Sequence, residues 1–220
     1  MSIAEALAIS GGLSTPGKMP GPAYSLPAES CRLGRVLRHL PRSVCARCYA
    51  LRGRYRFSRV ARALRRRLRA ISHPRWVEAV SALIARSGER HFRWHDSGDL
   101  QGVWHLRKII AVCLRCPGVT FWLPTREYQT VEAYRRLGGR IPANLCIRYS
   151  AHLVDGPPPL RHGLPVSTVS SSPDEAPPGA YRCPASRRGN CGSCRACWDS
   201  SVRIVDFPLR WASPRLAGGG

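Results

Sequence analysis

Apolar residues fall three or four apart in four stretches of this chain and cluster or alternate in six shorter ones, and the two kinds interleave. From about Tyr55 to Ile71, the residues Val60, Ala63, Leu64, Leu68 and Ile71 line one side of a helix while Arg62, Arg65, Arg66 and Arg69 cover the rest, so one face packs and the other is cationic. Pro74 is tolerated in a first helical turn, and Trp76, Val77, Val80, Leu83 and Ile84 continue a second helix that stops at Gly88. His91 to His95 reads as a strand, Val103 to Leu114 as a helix and Val119 to Leu123 as a strand. Thr130 to Leu137 is then helical and Leu145 to Tyr149 extended. With Ala23–Leu26, Leu164–Val169 and Val202–Phe207 the count is about six strands. Strands alternating with helices across short joins imply parallel pairing by right-handed crossovers, hence an α/β domain.

The pattern also sets boundaries. Residues 1–21 mix Gly, Ser, Pro and small apolar residues without a period and read as a flexible N-terminal arm; 22–207 form one domain, and 208–220 a mobile tail. No stretch is apolar for the length of a membrane span, and the N-terminus carries Glu5 and no basic leader, so a cytoplasmic protein without a membrane partner is expected. Oligomeric state is not legible. Charge changes the picture more: 35 Lys+Arg against 13 Asp+Glu leave a net +22, and all but Lys18 and Lys108 are arginine. Guanidinium groups bind phosphate oxygens in pairs, which makes nucleic acid the expected partner, with Arg54, Arg62, Arg65, Arg66 and Arg69 against the phosphates. The plainer alternative is a GC-rich coding sequence that writes arginine wherever a surface charge is wanted.

Ten cysteines in a chain with no export signal have no oxidising compartment, so metal or cluster ligation is expected over disulfides. Cys183, Cys191, Cys194 and Cys197 are spaced C-x7-C-x2-C-x2-C among Gly189, Asn190, Gly192 and Ser193, small or turn-forming residues that let backbone wrap around one centre. This donor set suits an iron–sulfur cluster, favoured over a four-cysteine zinc site. Cys31, Cys45 and Cys48 form a second group: three thiolates are too few for structural zinc but hold a four-iron cluster with one iron open. The alternative joins Cys45 and Cys48 to Cys113 and Cys116 as zinc ligands, although Cys113, Cys116 and Cys146 read more simply as core residues.

Acids are scarce, and two of them, Asp96 and Asp99, stand with Ser97 and Gly98 where the strand at His91 ends. Parallel α/β folds bind ligands beyond the carboxyl ends of their strands, so these residues are candidates for acid–base chemistry and cosubstrate binding; a helix N-cap is the bland alternative. Thr125 and Arg126 end the next strand, where Thr125 could cap a helix and Arg126 could equally reach a carboxylate or phosphate in the same mouth. His95 and His105 show no ligand-like spacing, and Trp104 and Trp122 occupy core-like positions.

Together, K-x2-G-x-A-Y-x-L-P-A-x-S-C from Lys18, C-x2-C-Y-A from Cys45, F-R-W-H-D-S-G-D from Phe92, P-G-V-T-F-W-L-P-T-R from Pro117 and C-P-A-x5-C-G-S-C-R-A-C-W-D from Cys183 resemble the phage and plasmid family called gene product 88. That resemblance, over about Lys18 to Phe207, implies a phage or mobile-element setting and no particular reaction. In order of parts the chain is more distantly similar to radical S-adenosylmethionine enzymes. That likeness implies a partial (βα)6-like barrel with a cysteine-rich C-terminal segment, and one or two 4Fe-4S clusters. It also implies S-adenosylmethionine at Tyr49, Ser97, Gly98, Asp99, Thr125 and Arg126. Those enzymes space their cysteines C-x3-C-x2-C with an aromatic before the last; here the first gap is thirteen and Tyr49 follows Cys48. Two other functions are open: a non-catalytic zinc protein that binds nucleic acid, and a nucleobase-modifying enzyme with a structural metal.

Overall fold

The computed structural model describes residues 1–160 and 163–209. Seven parallel strands form one sheet in the order β1-β2-β3-β4-β5-β7-β6. They are β1 (Ala23–Tyr24), β2 (His91–Trp94), β3 (Thr120–Thr125), β4 (Leu145–Ser150), β5 (Val166–Ser170), β6 (Tyr181–Arg182) and β7 (Ile204–Pro208). The first five follow one another across the sheet as they do along the chain, the arrangement of a partial barrel. Right-handed crossovers that always step the same way place their helices on one side. Accordingly α1 (Ile3–Ser10), α4 (Trp76–Ser87), α5 (Val103–Arg115) and α6 (Tyr128–Arg136) pack in a row, α1 on α4, α4 on α5 and α5 on α6.

Strand alternation divides the core in two. Phe92 and Trp94 of β2, Phe121 and Leu123 of β3, and Leu145, Ile147 and Tyr149 of β4 meet Trp76, Ile84, Leu106, Ile109 and Val131 on the helical side. Cys113 and Cys116 are buried there too, at the end of α5, so they do not join the loop of Cys45 and Cys48. The residues between, Trp122 of β3 and Val205 and Phe207 of β7, face the opposite side, where Cys183, Ala196, Cys197 and Trp198 pack on them. Trp198 Nε1 donates to the Phe92 carbonyl at 2.9 Å. The cysteine-rich segment thus covers the face that the helices leave open.

Two expectations are corrected. The N-terminal residues form a helix rather than a loose arm: Ser2 caps α1, and Gly11 closes it with φ +76°. Ala6 and Ser10 are buried, and the amphipathic helix α3 (Ser58–Ala70) holds the end of α1 by its arginines. Arg67 donates to the Gly12 and Leu13 carbonyls at 2.8 Å each, and Arg66 Nη2 to the Gly11 carbonyl at 3.1 Å. Trp104, in turn, is exposed beside Lys108 rather than in the core. The expected tail lies, from residue 210 on, outside the described residues. Among the described residues no helix is long and apolar enough to cross a membrane.

The rings of His95 and His105 lie 5.4 Å apart, tilted against each other, and both are buried. Burial depresses both, His105 to about 3, against 6.5 for a free histidine. Groups whose folded value lies below the unfolded one support the fold above pH 6.5 and cease to as acid charges the unfolded chain. Between pH 7.5 and 5 the stability measured by urea unfolding should fall by about 2 kcal/mol on account of His105 alone. His105→Gln should flatten that dependence.

Candidate functional site

The C-terminal edges of β1 to β4 carry the loops that chemistry would use, and these loops are tied to one another by carboxylates. After Trp94 the chain turns through His95 in a left-handed conformation, φ +58°, into Asp96–Asp99. Gly98, at φ +83°, fits against β1's exit: a Cβ there would lie 2.5 Å from Leu26 Cβ, so no larger residue is accommodated. Ser97 seals the same contact, its Oγ donating to the Leu26 carbonyl at 2.7 Å and its own carbonyl accepting from Leu26 N.

Asp99 is buried. Oδ1 accepts from Leu100 N at 2.8 Å and Thr125 Oγ1 at 2.6 Å, and Oδ2 from Arg126 N at 2.9 Å. Burial raises its carboxyl to about 6, although those three bonds favour the ionised form. A carboxylate has about four acceptor positions, so one is left. Glu127, beyond β3, reaches the cysteine loop: Oε1 accepts from Leu33 N at 2.7 Å, in α2 (Arg32–Leu37). Arg126 Nε donates to the Ala151 carbonyl at 3.1 Å after β4. Asp96 holds the loop's other end. Its backbone carbonyl accepts from the Tyr49 hydroxyl and its Oδ2 from the Tyr55 hydroxyl at 3.0 Å. Ser43 bridges to Leu153, fastening the loop to the chain after β4.

So held, the loop gathers the first cysteine group. A Cβ on Gly34 would stand 2.8 Å from Cys31 Cβ, 3.7 Å from Cys31 Sγ and 3.8 Å from Cys45 Sγ, so this bare backbone lies against two of the three thiols. Burial raises the Cys31 thiol, and Asp99, Cys48 and Cys45 raise it further while Arg126 opposes them; these five residues therefore share one electrostatic neighbourhood. Two clefts flank it. One, about 590 Å³, runs from Leu33, Arg126 and Glu127 to His152 and Pro157–Pro159, and a smaller one, about 330 Å³, lies among Pro27, Ser30, Arg65 and Leu68.

Cys183 and Cys197 pack on the open face of the sheet, and Cys191 and Cys194 lie between them in the same segment. Burial raises the Cys197 and Cys191 thiols; Cys183 and Cys191 add to the first, and Cys183 and Cys194 to the second. Tyr181 Oη lies 3.3 Å from Cys194 Sγ. All ten cysteines are free. Among the described residues, no group of three or more His, Cys, Asp or Glu side chains stands in a geometry that would hold a metal ion. In the first group, Cys31 and Cys45 bring their sulfurs to the same bare backbone at Gly34 and are the candidate ligands there.

From Arg32 to Arg69 the chain has fourteen arginines and no acid, so the rim of the first cysteine group is cationic. Arg54, Arg62, Arg65 and Arg69 are exposed, whereas Arg66 is committed to the Gly11 carbonyl. Sequence reasoning missed Glu127, Tyr55 and Gly34. Nothing in their immediate context marks them, because each partner lies far along the chain or is itself a cysteine.

The clasp on Asp96 can be tested directly. A hydrogen bond to a charged group contributes about 1.5–3 kcal/mol, so Tyr55→Phe should speed tryptic cleavage after Arg52, Arg54 or Arg56 by about tenfold or more, with global unfolding little changed. An unchanged digestion rate would show that the loop is held by other contacts.

Neither a curated protein nor a solved structure matches the chain. The family model described as gene product 88 matches residues 4–200, a span from α1 through the C-terminal cysteines, and the chain belongs to that family.

Proposed function

We propose that this chain is an iron–sulfur protein with two cysteine-held centres, radical-enzyme-like in plan, that acts on nucleic acid. The observation that carries the reading is the approach of Cys31 and Cys45 to one another at Gly34, in a loop that Glu127 ties through Leu33 to the C-terminal edge of a parallel sheet, the edge at which α/β folds place ligands. Cys31, Cys45 and Cys48 would hold one cluster and leave one iron position open. Such a group supplies one-electron chemistry when bound.

The chain's own residues do the rest. Asp99 keeps one acceptor position for a cationic group such as the ammonium of S-adenosylmethionine. The bonds from Thr125 and Arg126 N fix the orientation of that carboxylate. Ser97 and Gly98 set the depth of the mouth through their contacts with Leu26. Asp96, engaged by Tyr49 and Tyr55, positions the cysteine loop. Arg54, Arg62, Arg65 and Arg69 would lie along phosphates, which favours nucleic acid as the substrate class.

Anaerobic purification with iron and sulfide counts tests this reading. Protein loaded at both groups should carry about four irons and four sulfides per centre. Gly34→Ala, whose methyl collides with Cys31, should lose the metal of the first centre alone. A colourless protein holding only zinc would overturn the proposal. A nucleic-acid affinity whose dependence on salt has a slope near zero would remove the arginines' role, since each neutralised phosphate of a duplex contributes a slope of about −0.9.

A further inference from the structure

Most aromatic rings of this fold are enclosed, but four among the described residues are exposed: Phe57 at 62%, Tyr49 at 59%, Trp104 at 46% and Tyr181 at 41%. The first three share the rim of the first cysteine group. Tyr49 follows Cys48, and its hydroxyl is fixed on the Asp96 carbonyl; the Tyr55 ring lies 5.7 Å away and is itself bonded to Asp96 Oδ2. Phe57 stands two residues beyond Tyr55, at the start of α3. Trp104 lies in the first turn of α5. A Cβ on Gly102 would stand 3.3 Å from its ring and 3.9 Å from Arg32 Nη1, so this ring and the guanidinium next to Cys31 meet over one bare stretch of backbone.

A single exposed ring is ordinary on a protein surface, whereas several on one rim mark a contact site. Phenylalanine has no polar tip to reach for water, so the exposure of Phe57 leaves apolar area hydrated that a ligand would cover with gain. The surroundings say which ligand. Arg47 and Arg52 flank Tyr49, and Arg56 and Arg59 flank Phe57, all of them exposed, and no carboxylate offsets them between Arg32 and Arg69. Arginine alone favours a duplex, whose phosphates are the denser along its axis. Rings add a different preference. In a duplex each base is covered by its neighbours, and unpaired bases are the ones with faces free to lie on an aromatic side chain.

We infer that this rim binds single-stranded nucleic acid, with unpaired bases stacked on Phe57, Tyr49 and Trp104 and phosphates held by the arginines between them. The inference rests on the reading that nucleic acid is the partner and names its form; it does not depend on which metal the cysteines hold. A strand seated here lies against the cysteine loop, because Tyr49 follows Cys48 and Arg32 follows Cys31. The hydroxyl bonds to Asp96 hold Tyr49 and Tyr55 in place before any base arrives, so little side-chain freedom is lost on binding.

Fluorescence anisotropy at one fixed ionic strength tests this, with a labelled oligothymidylate alone or annealed to oligoadenylate as the probes. The same pair in RNA, with oligouridylate as the labelled strand, tells which of the two nucleic acids is taken. The preferred single strand should bind about tenfold or more tightly than its duplex, the reverse of what phosphate density alone dictates. Phe57→Ala and Trp104→Ala should each weaken the single strand by about 5- to 100-fold, the range for the loss of one stacked base, and leave the duplex within about twofold. Phe57→Tyr keeps a ring and should stay within about threefold of the parent on every probe. Arg62→Ala should weaken strand and duplex alike, since both carry phosphates. Should Trp104→Ala fail to fold, the pair Phe57→Ala and Phe57→Tyr carries the test, as Phe57 is the most exposed of the three. A duplex bound as tightly as the single strand, or Phe57→Ala equal to the parent on the single strand, overturns the inference while the nucleic-acid reading stands. Failure of all four probes to bind overturns both.

Discussion

The carboxylate of Asp99 is the contact on which the arrangement of this protein's loops depends. It is buried at the exit of β2, where burial opposes its charge, and it is held by Leu100 N, Thr125 Oγ1 and Arg126 N. Those bonds join the loops after β2 and β3. Glu127, one residue past Arg126, extends the tie to α2, and α2 begins immediately after Cys31. A chain with thirteen acids among 220 residues has placed three of them, Asp96, Asp99 and Glu127, as the acceptors that lock one loop cluster. With so many arginines around it, this edge would otherwise repel itself, and the carboxylates give it both cohesion and a fixed geometry.

The two faces of the sheet solve different problems. The helical face is a conventional apolar core, with Trp94 and Phe121 stacked and Tyr24 edge-on to Trp76. The other face is covered by a segment with little regular structure, and such segments leave carbonyls in need of donors. Arg148 serves four of them. One side chain thereby fastens β5, the cysteine segment and the approach to β7 to the middle of β4.

The sheet was legible in the sequence because its signal is local. Long apolar periods at Val60–Ile71 and Val103–Leu114, with strands of mixed Val, Phe, Trp and Ile between them, leave little choice but alternating α/β units. The N-terminal helix was not, since eight residues of small side chains give a weak period and its anchors, Arg66 and Arg67, lie more than fifty residues away. Asp99 and Thr125 could each be singled out at a strand end, but not the hydrogen bond that joins them. Arg148 looks like any other arginine in a strand until its enclosure is seen. Trp104 was misplaced because a helix surrounded by apolar residues does not tell which of them turns to solvent. What the sequence hid were pairings between distant residues, which no local pattern encodes.

The strand order carries a consequence for how the molecule is built. β6 comes before β7 along the chain, yet β7 lies between β5 and β6 and is the strand to which β6 bonds. On the ribosome, therefore, Tyr181 and Arg182 have no sheet to join until Ile204–Pro208 has emerged. The four cysteines between those strands have no closed sheet edge beside them until β7, the last strand among the described residues, has been made.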